Sequence, residues 1–183
     1  MITSLIGAGF GTGWWFAGVS VVPGAAVPLR IVGVLVLAGF FAWTVWLRGL
    51  AGGLPAGERP PGAGPFGTVY GISVALMVVA IVGGAQVINR VIGKPEAGAA
   101  WVLFVVGVHF LPFVKLFGSK RFLVLAVLLT SVSVLAVVLG GVAGQQWAWL
   151  GVPGFGGAAV LWGTAAAALL TAPARIRAAT SGW

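Results

Sequence analysis

Six long apolar segments dominate this chain and constrain its fold more than any other feature. They cover residues 2–22, 27–47, 66–89, 97–117, 121–142 and 150–172. Each is long enough to cross the hydrocarbon core of a bilayer, which takes about 20 apolar residues in a helix. Only 7% of the residues are charged, and the mean hydropathy is +1.14. The sequence therefore predicts an all-α fold, a polytopic membrane helix bundle with about six transmembrane helices.

The order of the segments suggests one domain in two parts. No segment alternates apolar and polar residues as the strands of an outer-membrane barrel do. A stretch rich in Pro and Gly at residues 49–65 is typical of a flexible linker. We predict a single transmembrane domain over residues 1–183, with a helix pair at 1–48, the linker at 49–65 and a four-helix remainder at 66–183. The first segment lacks a basic start and a clear cleavage site, so we expect a retained helix rather than a signal peptide.

The basic residues indicate an orientation rather than a nucleic-acid partner. The chain carries ten Lys and Arg against two acids, and they stand singly or in pairs at the ends of apolar segments, without a basic stripe. With the N-terminus inside, the inner loops receive Arg48, Arg59, Lys115, Lys120, Arg121, Arg175 and Arg177, and the outer loops receive Arg30, Arg90 and Lys94. Because inner loops carry the excess of Lys and Arg, we predict a multi-pass protein of the cell membrane with both termini cytoplasmic.

Eight of the nine tryptophans fall into two groups. Five lie near predicted helix ends, where the ring anchors a helix at the membrane interface: Trp43, Trp46, Trp101, Trp147 and Trp149. Three others lie well inside their segments: Trp14, Trp15 and Trp162. Two interpretations of this second group stay open. The rings either face lipid, or they form an aromatic wall around an apolar ligand in a bundle whose glycines leave volume unfilled.

Glycine pairs predict how the helices pack. The chain has 31 Gly, and small residues four positions apart share one helix face and allow close approach of membrane helices. The pairs are Gly7/Gly11, Gly9/Gly13, Gly67/Gly71 and Gly140/Gly144. We expect these faces to pack within the bundle or against an oligomeric or membrane partner.

The single histidine, His109, is the main candidate for chemistry. It lies inside the fourth segment, ~18 Å from the predicted outer end at ~1.5 Å per residue, where an ionisable group is a functional hypothesis by default. One interpretation is a neutral imidazole that fixes helix packing; the other is a group that binds a ligand or acts as a general acid or base. Pro112 should kink the helix nearby. The hydroxyls expected near this depth are those of Tyr70, Thr130, Ser131 and Ser133.

Polar residues at the predicted outer side form a second candidate site. They are Arg30, Gln86, Asn89, Arg90, Lys94 and Glu96. Gln86, Asn89 and Arg90 have the spacing that places side chains on one face of an α-helix. The cations fit an anionic group such as a phosphate or carboxylate. The alternative is an ion pair of Arg90 or Lys94 with Glu96, and contacts of the others with lipid headgroups.

Several catalytic classes lack their residues in this sequence. There is no Cys and no Asp, and the only acids are Glu58 and Glu96. Paired-carboxylate chemistry, a Ser/His/Asp triad and a protein-ligated metal centre are therefore unsupported. The same lack disfavours a transporter driven through a mid-membrane carboxylate. We predict no cofactor and no metal.

The stretch from Trp101 to Phe117 contains Gly107-Val-His109-Phe-Leu-Pro112. It resembles a stretch in small, functionally uncharacterised bacterial membrane proteins, where Gly-x-His-Phe-x-Pro recurs; the resemblance covers one helix and implies no activity. The first functional hypothesis is a bundle that binds or translocates a lipophilic or amphiphilic small molecule. The alternatives are an intramembrane enzyme acting on a lipid-soluble substrate, with His109 as general acid or base, and an accessory subunit of a membrane complex.

Overall fold

A computed structural model describes residues 2–50, 67–174 and 176 as a bundle of helices. The helices are α1 (Ile2–Val19), α2 (Pro23–Leu50), α3 (Thr68–Ile92), α4 (Pro95–Leu116), α5 (Lys120–Val142) and α6 (Ala148–Ala174). By length and composition, α2 to α6 are each able to cross a membrane, and α1 adds 18 residues without a charged side chain. The predicted all-α membrane bundle is confirmed. Arg59, Arg175, Arg177, Glu58 and most of the predicted linker lie outside the described residues.

Several helices contain irregular turns. A 3-10 turn opens α2 at Pro23–Ala25 and α4 at Pro95–Ala97. A wider π-helical turn closes α3 and α5 and interrupts α6, at Ile88–Ile92, Val138–Val142 and Val152–Gly156. The body of α4 is split into Gly98–His109 and Leu111–Leu116. Each opening 3-10 turn begins with proline, whose missing N–H costs nothing at the start of a helix.

Helices joined by a described turn pack as antiparallel neighbours. α1 packs on α6 and α2, α4 packs on α5 and α3, and α6 also contacts α5. In their most apolar stretches, only 11% of α2 and 6% of α3 is buried, against 28% for each of α4, α5 and α6. α2 and α3 are therefore peripheral helices that present most of their apolar surface outwards, as expected of helices in contact with lipid.

We name the two ends of the bundle by their turns. The α4–α5 turn lies at the basal end, and the α1–α2, α3–α4 and α5–α6 turns lie at the apical end. The last two apical turns are built alike: Lys94 N–H donates to Ile88 O at 3.2 Å and Gln145 N–H donates to Leu139 O at 2.9 Å. Each turn uses a glycine with a positive φ, 68° at Gly93 and 69° at Gly144, a conformation that disfavours other residues.

Tryptophan rings cover glycines at four helix contacts. The pairs are Gly33 with Trp15, Gly11 with Trp162, Gly140 with Trp149, and Gly84 with Trp101. A Cβ added to the glycine would lie 2.6 Å from the indole in each of the first three pairs and would clash with the ring in the fourth. The indoles therefore occupy the volume that the glycines leave, and the expectation of unfilled side-chain volume does not hold at these contacts.

Three of these indoles also donate a hydrogen bond to the helix that they cover. The bonds run from Nε1 of Trp15 to Leu29 O at 2.7 Å, of Trp101 to Ala80 O at 3.0 Å, and of Trp162 to Ala8 O at 3.1 Å. Each accepting carbonyl lies three or four positions before the covered glycine. Helical side chains lean toward the N-terminus and cover the preceding turn, so a glycine there opens the carbonyl to an outside donor. The glycine thus provides both the space and the acceptor.

Two of the predicted interfacial anchors differ from expectation. Trp149 is only 6% exposed, because its ring packs on Gly140, so the prediction is wrong for this residue. Trp101 holds α3 to α4 through its bond to Ala80. Trp46 and Trp147 are 53% and 52% exposed near helix ends, as an interfacial position requires.

The predicted glycine faces have different surroundings. Gly7 and Gly11 both face α6, where their nearest neighbours are Ala165 and Trp162, so this face packs as predicted. Within the described part of the chain, added Cβ atoms on Gly9 and Gly13 would meet nothing within 4 Å. The same holds for Gly71 and Gly144. Among the described glycines, the added Cβ that would come nearest to the backbone of another helix is that of Gly154, in the π-helical turn of α6, which would clash with Gly18 of α1.

Candidate functional site

The break in α4 sets the geometry around His109. Pro112 has no N–H to donate, so the chain cannot continue the α-helical ladder there. The N–H groups on either side turn to nearer acceptors: Phe110 N–H donates to Gly107 O at 3.2 Å, and Phe113 N–H donates to Phe110 O at 3.1 Å. The carbonyl of His109 is thereby open to a donor from another helix, and Ser73 Oγ of α3 donates to it at 3.5 Å.

The imidazole of His109 is held by its own helix. Nδ1 lies 3.0 Å from Val106 O, and because a carbonyl can only accept, Nδ1 carries the proton. In the neutral ring Nε2 is then an acceptor with a free lone pair. Within the described residues Nε2 has no hydrogen-bond partner. The site therefore offers one acceptor ~10 Å from the basal end of α4, at ~1.5 Å per residue.

Aromatic rings surround this imidazole. The ring centroids of Phe110 and Phe113 lie 4.5 Å and 4.9 Å from that of His109. Tyr70 of α3 stacks on Phe113 at 5.3 Å with an interplanar angle of 16°. Phe113 is 3% exposed and Tyr70 is half-buried. We call the group Tyr70, Ser73, His109, Phe110 and Phe113 the His109 site; it lies where α3 meets the broken part of α4.

The structure brings some of the predicted partners to this site and places others elsewhere. Tyr70 joins it through Phe113. Thr130 lies beside Gly107, where an added Cβ would be 2.7 Å from Thr130 Oγ1. Ser133 Oγ donates to Ala100 O at 2.7 Å, and Ala100 lies ~13 Å along α4 from His109. Ser133 therefore fixes the α4–α5 contact at another level and has no part in the His109 site.

Ser131 lies in a shallow groove on the outside of α5. The groove is lined by Thr130, Ser131, Val134, Leu135 and Val138. A second open groove lies between α1 and α2, lined by Leu5, Val34, Leu37, Ala38 and Phe41. Both grooves are open on the outer surface of the bundle.

The three tryptophans inside their helices serve as packing groups here. Trp15 and Trp162 lie side by side with ring centroids 5.2 Å apart, and each covers a glycine. Trp14 packs on Gly157 beside a leucine cluster of α4, α5 and α6 that includes Leu103. Their roles in ligand binding stay predictions, while their contacts already account for their positions.

The polar residues of the second candidate site all lie exposed at the apical end. This holds for Arg30, Gln86, Asn89, Arg90, Lys94 and Glu96. The π-helical turn that begins at Ile88 contains Asn89 and Arg90, and its wider spacing changes the shared face that a regular α-helix predicts. Arg30 lies on α2, which packs chiefly on α1.

Reasoning from the sequence missed Ser73, Phe110 and Phe113 as members of this site. Ser73 follows Tyr70 by three positions, which places both on one face of α3, and this spacing was the available signal. Within the described residues no group of His, Cys, Asp or Glu side chains is arranged to hold a metal ion. A search of known proteins finds no matching family model, no similar curated protein and no similar solved structure.

Proposed function

We propose that this integral membrane protein binds a lipophilic or amphiphilic small molecule at the His109 site, and that the molecule presents a hydrogen-bond donor to Nε2. The observation that carries the proposal is the bond from Nδ1 to Val106 O at 3.0 Å. It makes the other nitrogen of the neutral ring an acceptor in a region where water is scarce. A hydroxyl, phenol or amine would satisfy it, whereas a carbonyl would not.

The surroundings favour a ligand with a flat apolar body. The partly exposed rings of Phe110 and Tyr70 flank the site, and both pack on the buried ring of Phe113. Aromatic pairs of this geometry gain free energy beyond their buried area. A phenol-like head on an apolar tail fits both the acceptor and the rings.

The packing of the bundle supports entry from the bilayer. Tryptophans fill the glycine contacts around α1 and α6, which disfavours a path through the middle of the bundle. α3 is held mainly by α4, so movement of α3 would open the His109 site laterally. Binding is therefore better supported than translocation.

Two other functions have less support. An enzyme with His109 as its general acid or base would work without a carboxylate, since Glu96, the only acid among the described residues, lies at the apical end of α4. An accessory subunit is favoured by one observation, the open glycines Gly39, Gly71 and Gly83 on the peripheral helices. We also propose that both termini are cytoplasmic. The resemblance of the stretch around His109 to small bacterial membrane proteins remains part of the proposal.

Matched ligands test the donor requirement. We expect 4-octylphenol to bind the purified protein in lipid nanodiscs more tightly than 4-octylanisole, whose methylated oxygen cannot donate. The difference should be about 3- to 10-fold, the contribution of one hydrogen bond. It should vanish in His109→Leu and persist in Thr44→Val, which removes a hydroxyl that bonds only its own helix, to Phe40 O at 2.8 Å. Equal affinities for the two compounds in the wild-type protein would refute the proposal.

A further inference from the structure

The basal end of the bundle carries a set of cations that have no acidic partner among the described residues. Lys115, Lys120 and Arg121 are all exposed and lie on either side of the α4–α5 turn; we call them the basal cation surface. The only acid among the described residues is Glu96, ~30 Å away along α4. The positive charge at this turn is therefore not neutralised by any described part of the chain.

The α4–α5 turn holds these side chains on a fixed frame. Phe117 and Phe122 stand on either side of the turn with ring centroids 5.2 Å apart, and Phe113 lies 5.6 Å and 5.8 Å from them. Phe117 N–H donates to Phe113 O at 2.9 Å. Gly118 adopts a φ of 59°, which disfavours other residues. The cations thus project from a defined hairpin rather than from a loose loop.

Two of the cations lie at the N-terminus of α5, where the helix dipole is also positive. Lys120 and Arg121 are the first residues of α5, and its first turn has no acid. Cations are unfavourable at a helix N-terminus and anions are favourable there. Arg121 Nη2 donates to Thr171 Oγ1 of α6 at 3.5 Å; this acceptor is neutral, so no charge in the described part of the chain compensates that of Arg121. An external anion would relieve this arrangement.

Apolar side chains adjoin the cations. Leu116 is 41% and Phe117 39% exposed, and the exposed face of α5 continues with Leu123 and Val124, which are 43% and 52% exposed. A bound molecule would meet charge at the turn and hydrocarbon along the helix. A soluble anion would use only the first of these features.

We propose that the basal cation surface binds the headgroup of an anionic phospholipid, with the acyl chains lying along the exposed face of α5. Each Lys or Arg near such a headgroup strengthens binding by about five-fold. The attraction falls as salt screens the charges. The cations and the exposed face of α5 lie outside the His109 site, which shares only the buried Phe113 with this frame, so the inference does not depend on the proposed function.

Binding of dioctanoyl phosphatidylglycerol to the full chain in dodecylmaltoside tests the proposal. We expect it to bind more tightly than dioctanoyl phosphatidylcholine, and Lys120→Gln with Arg121→Gln should weaken phosphatidylglycerol binding by about 30-fold. The exchange Lys120→Arg with Arg121→Lys keeps both charges and should keep the affinity. Arg48→Gln removes a basal charge from α2 and should change the affinity by less than two-fold.

The possible outcomes are distinct. Loss of binding in the charge-removing pair, with retention in the exchanged pair, supports the proposal. Unchanged phosphatidylglycerol affinity in a folded Lys120→Gln, Arg121→Gln protein overturns it. Equal affinity for glycerol 3-phosphate and for phosphatidylglycerol also overturns it, because the site would then be one for soluble phosphate compounds.

Discussion

Replacing Gly84 by alanine should weaken the packing of α3 on α4, whereas the same change at Gly83 should not. An added Cβ on Gly84 would clash with the ring of Trp101, while one on Gly83 would meet no described atom within 4 Å. The two glycines are neighbours on the same helix, so their variants share the same effect on the unfolded chain. The comparison isolates the contact between α3 and α4.

Three contributions determine the expected change in the free energy of unfolding of Gly84→Ala. Overpacking at a tight contact costs about 1–3 kcal/mol. The displaced indole also loses its bond to Ala80 O, which is worth about 0.6 kcal/mol on average between membrane helices. Alanine is favoured over glycine in a helix by about 0.5–1 kcal/mol, and this gain applies at both sites. Gly84→Ala should therefore be destabilised by about 0.6–3 kcal/mol, and Gly83→Ala should be neutral or slightly stabilised.

The assay unfolds the protein in dodecylmaltoside micelles by titration with SDS. Unfolding is monitored through the near-ultraviolet circular dichroism of the tryptophans. Gly84→Ala should unfold at a lower SDS fraction than the wild-type protein. Trp101→Phe keeps a ring and removes the indole N–H. It should unfold at an SDS fraction between those of Gly84→Ala and the wild-type protein. Coincident transitions for Gly84→Ala and Gly83→Ala would refute the reasoning that Trp101 packs on a glycine and holds α3.

Three further predictions follow from other contacts and from the charge pattern. Gly107→Ala should lower stability in the same titration by about 1–3 kcal/mol, because its Cβ would lie 3.0 Å from the backbone N of Thr130; an unchanged midpoint would contradict the tight α4–α5 contact. Ser133→Ala should cost about 0.6 kcal/mol, and at most about 1.7 kcal/mol, through the lost bond to Ala100 O; a larger loss would point to a role beyond this bond. In intact cells an impermeant thiol reagent should label a cysteine placed at Gln145 and spare one at Ser181, and reversed labelling would invert the proposed orientation.

The six helices could be predicted because the bilayer imposes a simple requirement. Any segment that crosses it must be long, apolar and internally hydrogen-bonded, and this chain meets the requirement in nearly separate blocks. Helix ends were less predictable: α2 continues to Leu50, into the stretch predicted as linker. Apolar glycine and leucine residues extend a helix without a marked stop signal.

The partners of the tryptophans could not be predicted from spacing alone. The contact of Trp162 with Gly11 joins α6 to α1 across most of the chain, and nothing local to either residue selects the other. Trp149 illustrates the same difficulty, since a tryptophan near a helix end suits both the interface and a glycine contact. Only the packing of α5 against α6 decides between them.

The His109 site was predicted in part. Depth and residue type identified His109 and Tyr70, because an ionisable group inside a membrane helix is rare and asks for an explanation. Depth alone also suggested Ser133, which instead bonds Ala100 O. Depth fixes one coordinate of a side chain, and the helix rotation that decides its neighbours depends on the packing of glycines and aromatic rings.

The protonation of His109 is the most direct test of the account. Because the chain has a single histidine, ¹⁵N-histidine labelling in lipid bilayers gives one imidazole without assignment ambiguity. Solid-state NMR should show a proton on Nδ1 and none on Nε2, and the Nε2 resonance should shift when 4-octylphenol is added but not when 4-octylanisole is added. A ring protonated on Nε2 in place of Nδ1 would contradict the bond to Val106 and the ligand site built on it.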